Sequence, residues 1–441
     1  MKVLLVSTNQ LRPTRYVPWE PVEPLGAAYV AAAVLRAGHG VGLLDLCFSA
    51  HPEKHLDEAL ERESPDVIGI SFRNIEMTAY FNDVSFLETL TTIVSVCRER
   101  AGASVVLGGS GFSIMPEEIL RLTGAELGII GEGEWSFPEL LSRIEKGAEY
   151  DGIPGLVRLR DGSASRALPD RGHELRGNVF PARGLIDHAG YARMGGVVNV
   201  QTKRGCPMGC IYCTYPIIEG SEPRCRPTSE VLDELVEISQ RFGIERAYMV
   251  DSQFNNPPDR AKELCMALAS MRERVKLSWS CMINPAGVDE ELAFLMRLAG
   301  CRYVDLGADS GSETMLGMLG KGFTKDDVAR AASLFGRSRI SFGTWILLGG
   351  PGESEATIRE TLQFLSANNV SDVLFSVGLR VYPGTPLERI ARDEGRLEGR
   401  TDLIEPAYYL SMEAQRIVSI VEPHLGAHQG WRIAARRRPD G

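Results

Sequence analysis

The chain has 441 residues, more than one ordinary core needs, so two domains with an appendage are expected. Its 44% hydrophobic and 24% charged residues suit a soluble globular protein, and its net charge of −10 argues against a nucleic-acid-binding surface. No apolar run approaches the roughly 20 residues that span a bilayer; the short apolar start before Ser7-Thr8-Asn9 reads as a buried strand rather than a signal peptide, and the expected compartment is the cytoplasm, with no membrane partner.

Residues 1–146 read as a first domain. Strands are expected at 2–7, 41–46, 67–72, 104–107 and 127–130, and helices at 24–38, 53–63, 81–100, 116–122 and 137–146. Continuous apolar strands alternating with helices predict an α/β fold, a doubly wound, Rossmann-like parallel sheet. Ligands on such sheets bind at the carboxyl ends of the strands. Those ends carry Thr8 and Asn9, Asp45, the segment Ser71-Phe72-Arg73-Asn74, the segment Gly108-Gly109-Ser110, and Gly131-Glu132-Gly133-Glu134. Paired glycines let a bulky cofactor approach the backbone, or they simply make tight turns. Residues 147–189 form a linker, whose Gly- and Pro-rich stretch 152–177 reads as a hairpin with a short strand at 155–159.

The second domain, 190–390, opens with a strand at 199–202 and then Lys203-Arg204-Gly205-Cys206-Pro207-Met208-Gly209-Cys210-Ile211-Tyr212-Cys213. The nine cysteines are an odd number spread thinly, which is no disulfide framework, and only Cys206, Cys210 and Cys213 cluster. Soft thiolates suit zinc or an iron–sulfur cluster. Closed structural sites have four protein ligands. Three here leave one position open, which favours a cluster over zinc completed by a distant thiol such as Cys225. Strands then follow at 246–250, 277–281, 303–308, 342–348 and 373–377, each separated by a helix. Six strand–helix repeats make an incomplete parallel barrel, with chemistry at the carboxyl ends of the strands. Residues 391–441 form a C-terminal extension. Its Tyr408 and Tyr409 line a pocket or pack on the barrel, and its basic tail from Arg432 to Arg438 reads as a solvated terminus.

Two resemblances follow from these residues. Pro24-Leu25-Gly26, Ser71, Gly108-Gly109 and Gly131-Glu132-Gly133-Glu134 together resemble the cobalamin-binding domain found upstream of radical S-adenosylmethionine (SAM) domains. The resemblance implies that the strand-end residues, with Leu25 and Gly26, face cobalamin. Many such domains carry an Asp-x-His-x-x-Gly loop. Here Asp45-Leu46-Cys47-Phe48-Ser49 lacks that histidine, which implies cobalt without a protein imidazole. Arg73 is then a candidate for the lower corrin face, or else an ordinary ion-pair partner. An arginine stays protonated and is no normal metal ligand.

The Cys-x-x-x-Cys-x-aromatic-Cys spacing and the strand-end segments resemble the radical SAM core. This implies a 4Fe-4S cluster on Cys206, Cys210 and Cys213, with SAM on the open iron. Tyr212 would lie against the adenine. Asp309, Ser310 and Ser312 would contact the ribose and methionine parts, and Gly349 and Gly350 the adenine. Asp251 and Ser252 would also face SAM. The combination resembles cobalamin-dependent radical SAM methyltransferases of natural-product pathways. It implies methyl transfer from SAM through methylcobalamin to a carbon of a small-molecule or natural-product substrate. An external low-potential electron donor, of the flavodoxin or ferredoxin type, is implied as partner. Cyclisation, ring contraction or oxidation without methyl transfer is the alternative. A tRNA methylthiotransferase would need further N-terminal cysteines, and a cofactor-binding sensor would not need every SAM segment. No His or Cys pair of the second domain stands out as a catalytic base.

Overall fold

The computed structural model describes residues 1–8, 21–77, 80–81, 84–100, 102–175 and 180–434, with the side chain of Arg100 left out. The strands Lys2–Ser7 (β1), Gly40–Asp45 (β2), Val67–Ser71 (β3), Ser104–Gly108 (β4) and Leu127–Ile129 (β5) build the first sheet in the order β2-β1-β3-β4-β5, all parallel. Leu4, Val6, Ile68 and Ile70 bury one face, while Val3, Leu5 and Val67 bury the other. Helices therefore cover both sides. The chain reverses direction between β1 and β3, which is where a doubly wound sheet opens a crevice at its carboxyl edge.

Three details differ from the sequence expectation. The helix expected at 81–100 begins at Leu87, and residues 82–83 fall outside the described residues. The last helix of the domain runs Gly133–Glu145, starting earlier than expected, and it contains Pro138. That proline lies past the first turn and gives up one intrahelical backbone hydrogen bond. The linker hairpin is real, but its strands Leu156–Arg160 (β6) and Ser163–Arg166 (β7) join the first sheet. β6 pairs antiparallel with β5 and turns through Asp161-Gly162 into β7.

The second sheet is entirely parallel and has seven strands. They are Val198–Val200 (β8), Arg246–Met249 (β9), Ser278–Ile283 (β10), Cys301–Asp309 (β11), Ser341–Leu348 (β12), Asp372–Val377 (β13) and Gly430–Ile433 (β14). The first six are the expected ones. The seventh falls in the segment read as an appendage. Its Trp431 is fully buried, stacks on His428 with centroids 3.9 Å apart, and donates its Nε1 proton to the Val370 carbonyl at 2.8 Å. Arg432, expected as solvated tail, instead pairs with Asp372 at 3.1 Å; residues 435–441 fall outside the described residues.

The segment after β13 crosses back to the first domain. Leu379, Val381, Leu387, Leu397, Leu403 and Tyr409 share one apolar cluster with Leu4, Phe72, Ile75 and Phe112. Tyr409 belongs to this shared cluster, pairs with Leu379 and donates its hydroxyl to Glu394 at 2.7 Å. No helix among the described residues is long and apolar enough to cross a membrane.

Candidate functional site

Residues from the two sheets surround a cavity of about 750 Å³. From the first domain come Leu25 and Gly26 at the start of the first helix, then Ser71, Arg73 and Asn74 after β3. Gly108, Gly109 and Ser110 follow β4, and Gly131, Glu132, Gly133 and Glu134 follow β5. The second domain contributes Gln201, Arg204, Thr214, Tyr215, Glu219, Val250 and Trp345, and Tyr382 closes one side. All the strand-end candidates after β3, β4 and β5 therefore face one space.

The glycine after β4 is required by geometry. Gly109 has φ +98°, and a Cβ there would lie 2.5 Å from the Phe72 carbonyl oxygen. The loops after β3 and β4 are hydrogen-bonded across this gap. The Gly111 amide donates to the Phe72 carbonyl at 3.0 Å, and the Ser110 hydroxyl donates to the Arg73 carbonyl at 2.9 Å.

The alternative reading of Arg73, an ordinary ion pair, finds no partner among the described residues. The ionisable groups nearest its guanidinium are Tyr215, Tyr191 and Cys47, none of which carries a charge near neutral pH because burial raises each of them. Burial pushes its pKa down.

Two candidates of this group lie elsewhere. Asp45 does not line the cavity: its Oδ2 accepts the Tyr191 hydroxyl at 2.6 Å and its Oδ1 accepts the Cys47 amide at 3.1 Å. Thr8 is buried, with its amide and hydroxyl both 3.3 Å from the Ser71 carbonyl they donate to. Each fixes a strand end rather than reaching outward. Asn9 falls outside the described residues.

The cysteine loop lies beside this cavity, and Thr214 and Tyr215 join the two. Gly205, at φ +89°, starts the loop, and a Cβ there would lie 2.1 Å from the Glu222 carbonyl oxygen. The Cys206 amide donates to the Gly220 carbonyl at 3.1 Å, and the Cys213 amide to the Cys210 carbonyl at 3.2 Å. The three thiols are free; burial pushes the Cys210 and Cys213 thiols up, and the neighbouring cysteines of the loop add to it. Cys225 is not part of this group: its charged neighbours are Arg260, Lys203, Asp251 and Glu263.

Tyr212 donates its hydroxyl to Asp309, and Lys321 donates to the same Asp309 oxygen at 2.7 Å. Lys321 also lies beside Cys210. Asp309 sits at φ +62°, a left-handed conformation that clusters at functional sites. The sequence reading missed Lys321, which is 4% exposed; nothing in its local pattern marks a buried cation. Ser310 and Ser312 follow behind. The Ser310 hydroxyl lies 3.0 Å from that of Thr361 and accepts the Ser312 amide at 3.1 Å. The Gly349 amide donates to Glu353 at 3.2 Å, which closes the loop that also holds Gly350.

Asp251 and Ser252 support the loop from beneath. Asp251 accepts the Thr202 amide at 2.7 Å, the Thr202 hydroxyl at 2.5 Å and the Lys203 amide at 3.1 Å. Its carboxylate is thereby used up on the backbone that leads into Cys206. Ser252 donates to the Gly205 carbonyl at 3.3 Å.

Buried ion pairs join the two domains around the cavity. Arg204 binds Glu132 at 3.1 Å and also Glu134, and Arg224 binds Glu132. Burial alone would raise the Glu132 carboxyl, but Arg224 and Arg204 hold it below the usual range. Arg380 and Tyr382 donate to Glu76 at 2.6 and 3.0 Å. Arg183 lies between Glu23, at 3.3 Å, and Glu234, at 2.5 Å, and Glu234 also holds Arg226. The sequence pattern gave no sign of these partners, which are distant along the chain.

The geometry fits two known families. The B12-binding domain family matches residues 20–141, and the radical SAM superfamily matches residues 200–365. An uncharacterised methyltransferase of Pyrococcus horikoshii is 28% identical over 88% of this chain and 82% of its own length. The tryptophan 2-C-methyltransferase of Streptomyces laurentii is 26% identical over 86% of this chain and 73% of its own. Among solved structures, the radical SAM methyltransferase TsrM of Kitasatospora setae, with cobalamin and a 4Fe-4S cluster bound, is 29% identical. It covers 91% of this chain and 79% of its own, with a TM-score of 0.83. The cobalamin-dependent radical enzyme OxsB shares the fold, at 16% identity and a TM-score of 0.79 over 94% of this chain and 65% of its own. With a B12-binding domain ahead of a radical SAM domain, and a cavity formed between them, the chain belongs to the cobalamin-dependent radical SAM enzymes.

Proposed function

We propose that this enzyme is a methyltransferase that carries a SAM-derived methyl group, by way of cobalamin, to a carbon of a small-molecule or natural-product substrate. The observation that carries this reading is the 750 Å³ cavity, which has the B12-domain loops on one side and the continuation of the cysteine loop on the other. The division is 1–146 for cobalamin, 147–189 as linker, 190–390 for cluster and SAM, and 391–441 as extension.

Bound cobalamin would supply a methyl carrier, and a cluster would supply the low-potential electron that cleaves SAM. The residues fit both groups. Free thiols at Cys206, Cys210 and Cys213 suit iron–sulfur chemistry. Tyr212, Asp309 and Lys321 form a polar group beside Cys210 that suits the charged and hydroxyl groups of SAM. Ser310, Ser312, Gly349 and Gly350 form the loops behind it. Arg73 is assigned to the lower corrin face, where its positive charge disfavours any cationic or metal-ligating neighbour. Trp345 is 52% exposed although it sits mid-strand, and it offers an aromatic face to substrate in the cavity.

TsrM, with tryptophan and a SAM analogue bound, covers 91% of this chain and 77% of its own at 29% identity and a TM-score of 0.84, which makes tryptophan the first substrate to try. The test is anaerobic reconstitution with iron, sulfide and hydroxocobalamin, followed by reduction and SAM labelled in its methyl group. Label in the corrinoid, and then in a carbon-methylated product, supports the proposal. Formation of 5′-deoxyadenosine with an unlabelled corrinoid would replace it with cyclisation, ring contraction or oxidation.

A further inference from the structure

Of the residues after β5 expected to face cobalamin, Glu132 and Glu134 use their carboxylates across the domain boundary. Glu132 and Glu134 follow Gly131 and Gly133, whose backbone lines the B12 side of the cavity. Their carboxylates turn toward the other domain and hold Arg204, two residues before Cys206. The Arg204 side chain is only 6% exposed. Its Nε donates to Gln201 at 2.9 Å, and its guanidinium carbon lies 5.2 Å from the centre of the Tyr29 ring. All three edges of the fork are thereby occupied, which fixes its orientation.

The contact continues into the cysteine loop. Gln201 donates to Glu219 at 3.0 Å, and the other Glu219 oxygen accepts the Gly205 amide at 3.1 Å. Gly220, the next residue, accepts the Cys206 amide at 3.1 Å. Hydrogen bonds, joined by the Glu219–Gly220 peptide link, therefore run from the loop that would hold the corrinoid to the first cluster cysteine. Buried charges tolerate little misplacement, because each depends on its partner for solvation.

We propose that Arg204, clamped by Glu132 and Glu134, is a positioning residue that couples occupancy of the cobalamin site to the geometry of the Cys206 loop. The inference rests on the cofactor assignment above but goes beyond it. Coupling of this kind is reciprocal: cobalamin binds more tightly to the cluster-loaded chain, and the cluster loads better when cobalamin is present.

The experiment measures hydroxocobalamin affinity by visible absorption on the full chain, with and without reconstituted cluster. It also records the electron paramagnetic resonance spectrum of the reduced cluster with and without cobalamin. Wild type is expected to bind cobalamin on the order of 10-fold more tightly when the cluster is present, with a shifted cluster spectrum. Arg204→Gln is expected to bring the two affinities within about 2-fold and to abolish the shift, while Arg204→Lys, which keeps the charge but not the fork, recovers part of each. Glu134→Gln guards against misfolding of the arginine variant and is expected to weaken the coupling in the same direction. Equal affinities in wild type, or unchanged coupling in folded Arg204→Gln and Glu134→Gln, would overturn the proposal. Failure of wild type to bind cobalamin at all would overturn the cofactor assignment itself.

Discussion

Burial pushes two carboxyls up, Asp45 to about 6 and Glu353 to about 7, although Asp45 is partly relieved by the Tyr191 hydroxyl and Glu353 by Thr357. Free in the unfolded chain, both titrate near the ordinary value of about 4. Between about pH 4 and pH 7 the folded state therefore holds more protons than the unfolded one, and stability falls as pH rises through that window. Asp45→Asn stays neutral and can still accept from Tyr191. It loses one acceptor, toward the Cys47 amide, but its stability should decline less than wild type's between pH 5 and pH 8, read from urea unfolding at both. A wild-type slope in the variant contradicts this account. The same residue marks a limit of sequence reading. Asp45 sits at a strand end, where ligands bind, and only the fold reveals that Tyr191 already occupies its carboxylate. Cys206, Cys210 and Cys213 were legible because the information lies within one short segment. Lys321 and Arg204 were not, because a buried charge is defined by partners elsewhere in the chain.

At the scale of elements, alternation of apolar strands and helices made the first five strands and the first six barrel strands legible. β14 was not: its four residues, Gly430–Ile433, follow the polar stretch Ala427-His428-Gln429 and precede a basic tail. What makes it a strand is pairing with β13 and the burial of Trp431, both tertiary effects. The joint between β4 and the short helix Ser110–Ile114 can be tested directly. Gly109 has φ +98° and ψ 171°, a region essentially closed to other residues, with the Phe72 carbonyl against its Cα. Gly109→Ala should therefore cost on the order of 1–3 kcal/mol from strain alone and displace the loop of Ser71 to Asn74. Cobalamin affinity should fall with it, while iron loading of the cysteine loop persists. Normal cobalamin binding by the alanine variant would show that these two loops do not set the cradle.

Over the whole molecule, the two sheets are joined by buried charge rather than by apolar surface alone. Arg183 of the connector and Arg226 of the barrel both rest on Glu234, and Glu23 of the first domain holds Arg183 and His188. Removing one member leaves its partners charged and dry, so Glu234→Gln should destabilise by about 3–5 kcal/mol. Thermal unfolding should then separate into two transitions, whereas a single unchanged transition would mean that the domains are joined by other contacts. The same architecture leaves one cavity bordered by the B12 loops and, at Thr214 and Tyr215, by the continuation of the cysteine loop. The most direct test of this two-cofactor account is a side-by-side determination of metal and corrinoid after anaerobic reconstitution of wild type and of the Cys206→Ala/Cys210→Ala/Cys213→Ala variant. Wild type should hold about four irons and about one cobalamin per chain, and the variant should lose the iron while keeping cobalamin. Iron retained by the triple variant, or no cobalamin on either protein, would contradict it.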